Sequence, residues 1–386
     1  MQERELFEIA DGICGPDAEA MEAARERQAN LAKPPGSLGR LEDISIRMAG
    51  ITGRINNEID GGCVVVLCAD NGVVEEGVAS TPQSVTMAQT VNFTRRLTGV
   101  GALAESFGSE LLIVDVGVRH PIPEALYDDV PLRDTRRIIN RRIRRGTDNL
   151  AKGPAMKREE AVACIGVGLE MAEAVKKKGF AIAGVGEMGI GNTTTSAAVL
   201  SAVTGADSHV TCGRGGGLSD RDYIKKKKIV DEVSRPYREA GGLLGTATGR
   251  QQIRSGMLDI LARMGGFDIC AMAGVFIGAA VNRLPVVIDG YISAVAAVAA
   301  WILAPGAQHY MFASHKSWER GYTLAVETLG LSPFLTLDMR LGEGSGCPIA
   351  FDVIRGACDV MRNMGTFAEA EIDDDYLAEI REGDCF

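Results

Sequence analysis

The stretch FAIAGVGEMGIGNTTTSAAVL, residues 180–200, constrains this chain more than any other. Phe180 to Val185 is a short apolar run of the kind that forms a buried parallel strand. Thr193 to Leu200 is hydroxyl-rich and then apolar, which predicts a helix with Asn192, Thr193, Thr194 and Thr195 in its first turn. Gly184, Gly186, Gly189 and Gly191 lie between, with Glu187 inside the predicted turn. Glycine at this density lets backbone approach a ligand closely. A strand, a Gly-rich turn and a helix N-terminus together make an anion site, because free N–H groups and the helix dipole both favour negative charge. A tight βα turn without a ligand is the plain alternative. The spacing fits neither the ATP-binding G-x-x-x-x-G-K-[ST] pattern nor a clean G-x-G-x-x-G.

A chain of 386 residues with 46% hydrophobic residues supports a large core. Aromatics at 5% and 47 glycines suit small-residue helices packed on a parallel sheet, an α/β fold. The net charge of −10 argues against a nucleic-acid partner, so a bound phosphate must find local donors. Nine cysteines are scattered without a C-x-x-C, which reads as reduced thiols in a cytoplasmic protein. The four histidines are too dispersed for a zinc site. The first residues, MQERELFEIADG, lack a signal-peptide pattern, and the apolar run Ser293 to Ala304 is too short to cross a bilayer and reads as a buried helix.

In chain order, residues 1–60 read as helical, broken by Pro34, Pro35 and Gly36, with Ser37 as the expected N-cap of the next helix. Lys33, Ser37 and Arg40 are either phosphate contacts or a solvated helix start. CVVVLC, LLIVDV, LPVVID and Tyr310 to Ala313 read as further strands. Asp70, Asp115 and Asp289 end three of them and are expected along the carboxyl edge of the sheet, where open α/β sheets bind ligands. Arg133 to Arg145 is strongly basic but has no interleaved aromatics, so it reads as a solvated segment or a dimer surface. The loop Gly213 to Gly217 precedes a helix carrying Lys225 to Lys228; four consecutive lysines cannot share one face, so most are solvated and one is free to reach a phosphate. Glu343, between Gly342 and Gly344, has no crowding neighbours, a setting that suits a general base as well as a plain exposed turn. Pro348 fits the first position of the following helix, and the acidic tail from Glu371 reads as a surface helix.

KPPGSLGRLED, ADNGVVEEGV, VDVGV, GEMGIGNTTTSA, GRGGGL, PVVIDGYIS, ASHKS and MRLGEGSG occur in this order between Lys33 and Gly346. Together they resemble the nicotinate-nucleotide–dimethylbenzimidazole phosphoribosyltransferase family. The resemblance implies transfer of the phosphoribosyl group of nicotinate mononucleotide to a benzimidazole-type base, with no cofactor and no metal. It implies Glu343 as the base and Glu187 as a second acidic residue near the ribose. Lys226 and Gly215 match phosphate positions, and Asp289 and Ser317 match nucleotide positions. Gly189, Asn192 and Thr193 of the anion turn, with Gly290 beside Asp289, complete the candidate nucleotide site. Thr81 and Gln89 match the wall of the base pocket, with Leu341 and Gly342 beside Glu343.

The chain departs from the family pattern at Asn71, where many members have His, so no acid–base role is available there. Thr81 stands where Ser is also familiar, and its methyl narrows the base pocket. The implied architecture is a Rossmann-like parallel sheet flanked by helices over 61–347, with a small helical domain from 1–60 and 348–386, assembled as a homodimer. Two competing readings stay open. A dinucleotide-dependent oxidoreductase is nearly matched by Gly184, Gly186 and Gly189, but Thr204, Gly205 and Ala206 lie where an acidic residue is needed. A non-catalytic nucleotide-binding protein would bind the nucleotide and release no nicotinate.

Overall fold

The computed structural model describes residues 1–246, 249–373 and 375–377. Helices α1 (Glu3–Asp11), α2 (Ala18–Asn30) and α3 (Arg40–Thr52) precede strand β1 (Gly62–Ala69). Helices α4 (Ser84–Thr94) and α5 (Gly99–Ser106) lead into β2 (Glu110–Gly117), followed by β3 (Tyr127–Asp128) and β4 (Ile138–Asn140). Then come α6 (Arg158–Lys177), β5 (Ile182–Met188), α7 (Asn192–Thr204), α8 (Ser208–Thr211) and α9 (Asp220–Glu239). The chain continues through α10 (Leu243–Thr246), α11 (Arg250–Met264), α12 (Phe267–Val281), β6 (Val286–Ile288) and α13 (Tyr291–Leu303). It closes with β7 (Met311–Ala313), α14 (Tyr322–Thr328) and α15 (Gly346–Asn363). Beyond Leu377 the acidic tail lies outside the described residues, as does Cys385.

The seven strands form one sheet in the order β3-β4-β2-β1-β5-β6-β7, every neighbouring pair parallel. The fold is therefore α/β, as the sequence indicates. The apolar runs CVVVLC and LLIVDV are buried along β1 and β2, the signature of strands covered by helices on both faces. From β1 the chain moves out to β2 and the edge strands, then returns to the other side of β1 as β5. That reversal is a topological switch point, and ligands bind beside such points at the carboxyl ends of the strands.

Several local expectations shift. β5 runs to Met188 rather than stopping at Val185, because β1 pairs with it from Gly62 through Cys68. Glu187 is thus a strand residue, not a turn residue. Gly39, not Ser37, occupies the N-cap of α3, since the Glu42 carboxylate already accepts the Leu38 N–H at 3.0 Å and the Lys33 amine at 2.8 Å. α15 begins at Gly346, two residues before Pro348, because its first amide is taken by Asp289. The basic run is not a free solvated segment. Ile138–Asn140 is strand β4, and Arg136, Arg141, Arg142 and Arg144 pair with Glu105, Glu170, Asp115 and Glu160 at 2.6–2.9 Å. The expected buried helix is α13, and no helix among the described residues is long and apolar enough to cross a membrane. The described cysteines are free, and all but Cys14 are buried.

Two glycine contacts set the layer behind the sheet. A Cβ on Gly168 of α6 would overlap the Ala271 carbonyl of α12, and one on Gly274 of α12 would overlap the Ile165 carbonyl of α6. The two backbones touch where side chains are missing. Gly274→Ala is expected to lose about 1–3 kcal/mol of stability through overpacking, despite its gain in helix propensity. Gly356→Ala, on the open face of α15 with no atom within 4 Å of the new methyl, is expected to gain about 0.5–1 kcal/mol. Thermal unfolding followed by circular dichroism reads both signs. A stabilised Gly274→Ala would contradict the close packing.

Candidate active site

The Gly-rich turn after β5 carries the chain into α7. Gly191, at the N-cap, has φ +98° and lies so close to Val74 and Asn71 that a Cβ would meet Val74 at 2.8 Å. Thr194, Thr195 and Ser196 face inward and are buried, while Thr193 faces a cleft of about 310 Å³. The second Gly loop covers it. A Cβ on Gly215, at φ +57°, would stand 2.9 Å from the Thr193 hydroxyl and 3.6 Å from the Lys226 amine. Lys226 is the one lysine of its run that is fully buried, and its amine donates to the Thr193 hydroxyl at 2.8 Å. Burial pushes the pKa of that amine down. The arrangement is a helix N-terminus, a glycine loop and a buried cation converging, which suits a phosphate.

Glu343 occupies φ +64° between Gly342 at φ +83° and Gly344 at φ +89°. Left-handed backbone at a non-glycine is strained, and it persists only where its surroundings hold it. Asp289 holds it. Its two oxygens accept the Gly344 N–H at 3.0 Å and the Gly346 N–H at 2.7 Å. The loop also lies against the sheet: a Cβ on Gly186 of β5 would overlap the Glu343 carbonyl. The Glu343 carboxylate accepts the Val100 N–H at the start of α5, at 3.1 Å, and a longer bond from Gln89 at 3.4 Å. Gln89 is itself fixed by Asn92 at 2.9 Å. Burial raises the Glu343 pKa, and the amides of Val100 and Gly99 oppose that rise.

Glu187 lines the same cleft. Its carboxyl accepts from the Asn192 carboxamide, which also donates to Asp268 at 3.1 Å. Burial pushes Glu187 up to about 8, with the neighbouring Asp268 adding to the rise, and Asp268 itself up to about 6. Burial likewise raises Asp289 to about 7 and lowers His315 to about 4, so His315, 3.9 Å from Asp289, is neutral at pH 7 and forms no ion pair there.

Thr81, Gln89, Glu187, Gly189, Asn192, Thr193, Gly215, Asp289, Gly290, Ser317, Leu341, Gly342 and Glu343 all line this one cleft. Lys226 sits beneath its wall, behind Thr193. The structure does not bring Lys33 or Arg40 there: Lys33 pairs with Glu42, and Arg40 reaches the Ser332 carbonyl. Asp70 and Asp115 do end strands at the expected edge, but Asp70 accepts the Arg119 N–H and Asp115 binds Arg142 and Tyr127. Asn71 is buried behind the turn, outside the lining. The cleft also holds Val85, Ile190, His315, Glu319 and Arg340, which sequence reasoning missed. Ile190, His315 and Arg340 lie within motifs already singled out, so adjacency was the available signal. Asp268 had none, being one acid at the head of an apolar helix.

The oxidoreductase reading loses its second element here. Thr204 ends α7, Gly205 is its left-handed C-cap, and the next strand is β6 at Val286. Asp207, the acid nearest the required position, caps helix α8 instead of ending a strand. A family described as phosphoribosyltransferase matches residues 13–372. The chain is 48% identical over 381 residues to the nicotinate-nucleotide–dimethylbenzimidazole phosphoribosyltransferase of Clostridium perfringens, covering 99% of each chain. It is 43% identical to the enzyme of that name from Acetivibrio thermocellus, covering 95% of this chain and 98% of that one. The crystal structure of CobT from Thermus thermophilus superposes with a TM-score of 0.82 at 35% identity, covering 92% of this chain and 99% of that one. With likeness that spans the whole chain, in sequence and in fold, this protein belongs to the nicotinate-nucleotide–dimethylbenzimidazole phosphoribosyltransferase family.

Proposed function

We propose that this chain moves the 5-phosphoribosyl group of nicotinate mononucleotide to 5,6-dimethylbenzimidazole or a related base, giving α-ribazole 5′-phosphate and nicotinate. One observation carries the reading: a single cleft joins a buried carboxylate on a Gly-flanked loop, Glu343, to a glycine-loop phosphate cradle backed by Lys226. The named relatives support it.

The residues act as follows. The Gly215 loop, the first turn of α7 and Lys226 bind the phosphate, with Ser317 and Gly290 nearby. The pyridinium nitrogen of the nucleotide is cationic before reaction, so nicotinate departs without a general acid or a Lewis acid. C1′ then gains positive charge, which the Glu187 carboxylate stabilises. An azole nitrogen, held among Thr81, Gln89 and Leu341, attacks from the face opposite the leaving group. The β-nucleotide becomes an α-riboside. Glu343 accepts the azole N–H proton.

The same proposal includes a small domain from 1–60 and 348–386 beside the large domain over 61–347. Ala24, Ala49 and Met361 form a separate small core, and Ala32 and Phe367 exchange backbone bonds with Gly365 and Asn30, which supports joining the chain ends. It includes a homodimer as well. Leu341 lines the base end of the cleft yet is 57% exposed, and a partner's small domain at the mouth would cover it. Buried free thiols support a cytoplasmic location.

Steady-state kinetics on both substrates tests these roles. Glu343→Gln keeps size and hydrogen bonding but removes the proton acceptor, so kcat should fall by about 10²–10⁴ with little change in substrate affinity. A near-normal kcat would refute Glu343 as the base. Lys226→Ala should weaken nicotinate mononucleotide far more than the benzimidazole, and should barely affect the nucleoside that lacks the phosphate. Equal losses for both ligands would place Lys226 elsewhere. Glu343 must be ionised to take the proton, and its pKa lies above the usual carboxylate range. The kcat should therefore fall as pH drops through that raised value, and this limb should vanish in Glu343→Gln. Activity should also survive dialysis against EDTA. A limb that persists without Glu343, or activity restored only by added Mg²⁺, would contradict the mechanism.

A further inference from the structure

Asp268 lies outside the cleft and touches none of its space. It is nevertheless fully buried, at the second residue of α12, and it shares a partner with Glu187. The Asn192 carboxamide nitrogen donates to both carboxyl groups. An amide nitrogen has two hydrogens, so this pair of bonds uses both. The space for Asp268 is made by glycines: a Cβ on Gly189 would stand 2.6 Å from one carboxyl oxygen, and a Cβ on Gly266 would overlap the other. The N-terminus of α12 favours negative charge on Asp268, and its own oxygen accepts the Ile269 N–H at 3.0 Å. The Glu187 carboxyl, on strand β5, meets α7 through the Asn192 side chain.

We propose that Asp268 is a positioning residue for Glu187: through the Asn192 carboxamide it fixes the Glu187 carboxyl in the cleft and keeps a proton on it until the cationic nucleotide binds. The inference rests on the transferase reading, because that reading supplies the cationic pyridinium. Two carboxylates bridged by one amide in a buried site do not both ionise at low cost; the one with the better donors keeps its charge. The groups facing Glu187 are Asp268 from α12, Asp289 from the end of β6, Asn192 from α7 and the Glu343 backbone. Both acids among them oppose its ionisation. Those facing Asp268, besides Glu187 itself, are the Asn192 carboxamide and the Ile269 amide, both donors. The lifted Glu187 value of about 8 against about 6 for Asp268 agrees with this division. Binding of the pyridinium ribosyl group next to Glu187 reverses the balance. Glu187 loses its proton to solvent and presents a carboxylate to the sugar as C1′ becomes positive.

Calorimetric titration of nicotinate mononucleotide at pH 7, in buffers of different ionisation enthalpy, counts the protons released on binding without requiring turnover. The wild-type protein should release close to one proton more than Glu187→Gln, in which this position has no proton to give. Asp268→Asn keeps the shape, removes the opposing charge and lets Glu187 ionise beforehand, so its release should drop towards that of Glu187→Gln. Asn192→Ala cuts the bridge while leaving Asp268 in place. Loss of its donor makes Glu187 harder to ionise, so the midpoint of the pH dependence of proton release should move upward. That variant keeps the question open to measurement if Asp268→Asn does not fold. Proton release unchanged from wild type in Asp268→Asn, or an unmoved midpoint in Asn192→Ala, would overturn the inference. A parallel assay with dimethylbenzimidazole separates the two claims. A protein that binds the nucleotide and releases no nicotinate breaks the transferase reading and leaves the proton count to judge Asp268. A protein that does not bind the nucleotide breaks both.

Discussion

Asp289 and the two amides it receives hold the candidate base in place. The strand β6 delivers a buried carboxylate to the sheet edge, and the Gly344 and Gly346 N–H groups satisfy its two oxygens. These bonds anchor a loop with three consecutive left-handed residues, the middle one a glutamate. They also start α15, because Gly346 is its first residue. Strain at Glu343 is therefore offset by a bond network that belongs to the sheet. The missing side chain at Gly186 lets the loop backbone rest directly on β5, the strand that carries Glu187. Base loop and second carboxylate are thus built on the same pair of strands.

The cleft gathers acids rather than bases, although its substrate carries a phosphate. Local geometry resolves the conflict. The proposed phosphate cradle is made of a helix N-terminus, a glycine loop and one buried amine that touches Thr193. In the proposed mechanism the acidic groups, Glu187 and Glu343, serve the developing charge at C1′ and the azole proton instead. Burial raises Glu187 to about 8 and Asp289 to about 7, which reduces the negative charge of the cleft near pH 7 and lowers the electrostatic cost of admitting a phosphate. The sites for opposite charges are separated by protonation as well as by position.

Much of this was legible in the sequence, for a physical reason. A parallel sheet buried on both faces leaves unbroken apolar runs, so β1 and β2 stood out, and the glycine clusters marked where backbone must approach backbone or ligand. The site residues sat in those clusters, and the structure brings them into one cleft. Strands β3 and β4 did not stand out: β3 has only two residues and no apolar run, and β4 is hidden inside an arginine-rich run whose charges are consumed by local pairs. The end of β5 was misjudged because its length is set by β1, a neighbour distant in sequence. Asp268 was missed for the same reason. Its importance comes from glycines at 189 and 266 and an asparagine at 192, which meet only in three dimensions.

The central claim is a single displacement at C1′, with Glu343 acting as a base and not as a nucleophile. Proton NMR of the ribosyl phosphate product formed from nicotinate mononucleotide and 5,6-dimethylbenzimidazole tests it most directly, because the anomeric configuration records the face of attack. The account predicts only the α-riboside, formed in step with free nicotinate. A β-configured product would mean two displacements through a covalent intermediate, and would contradict it.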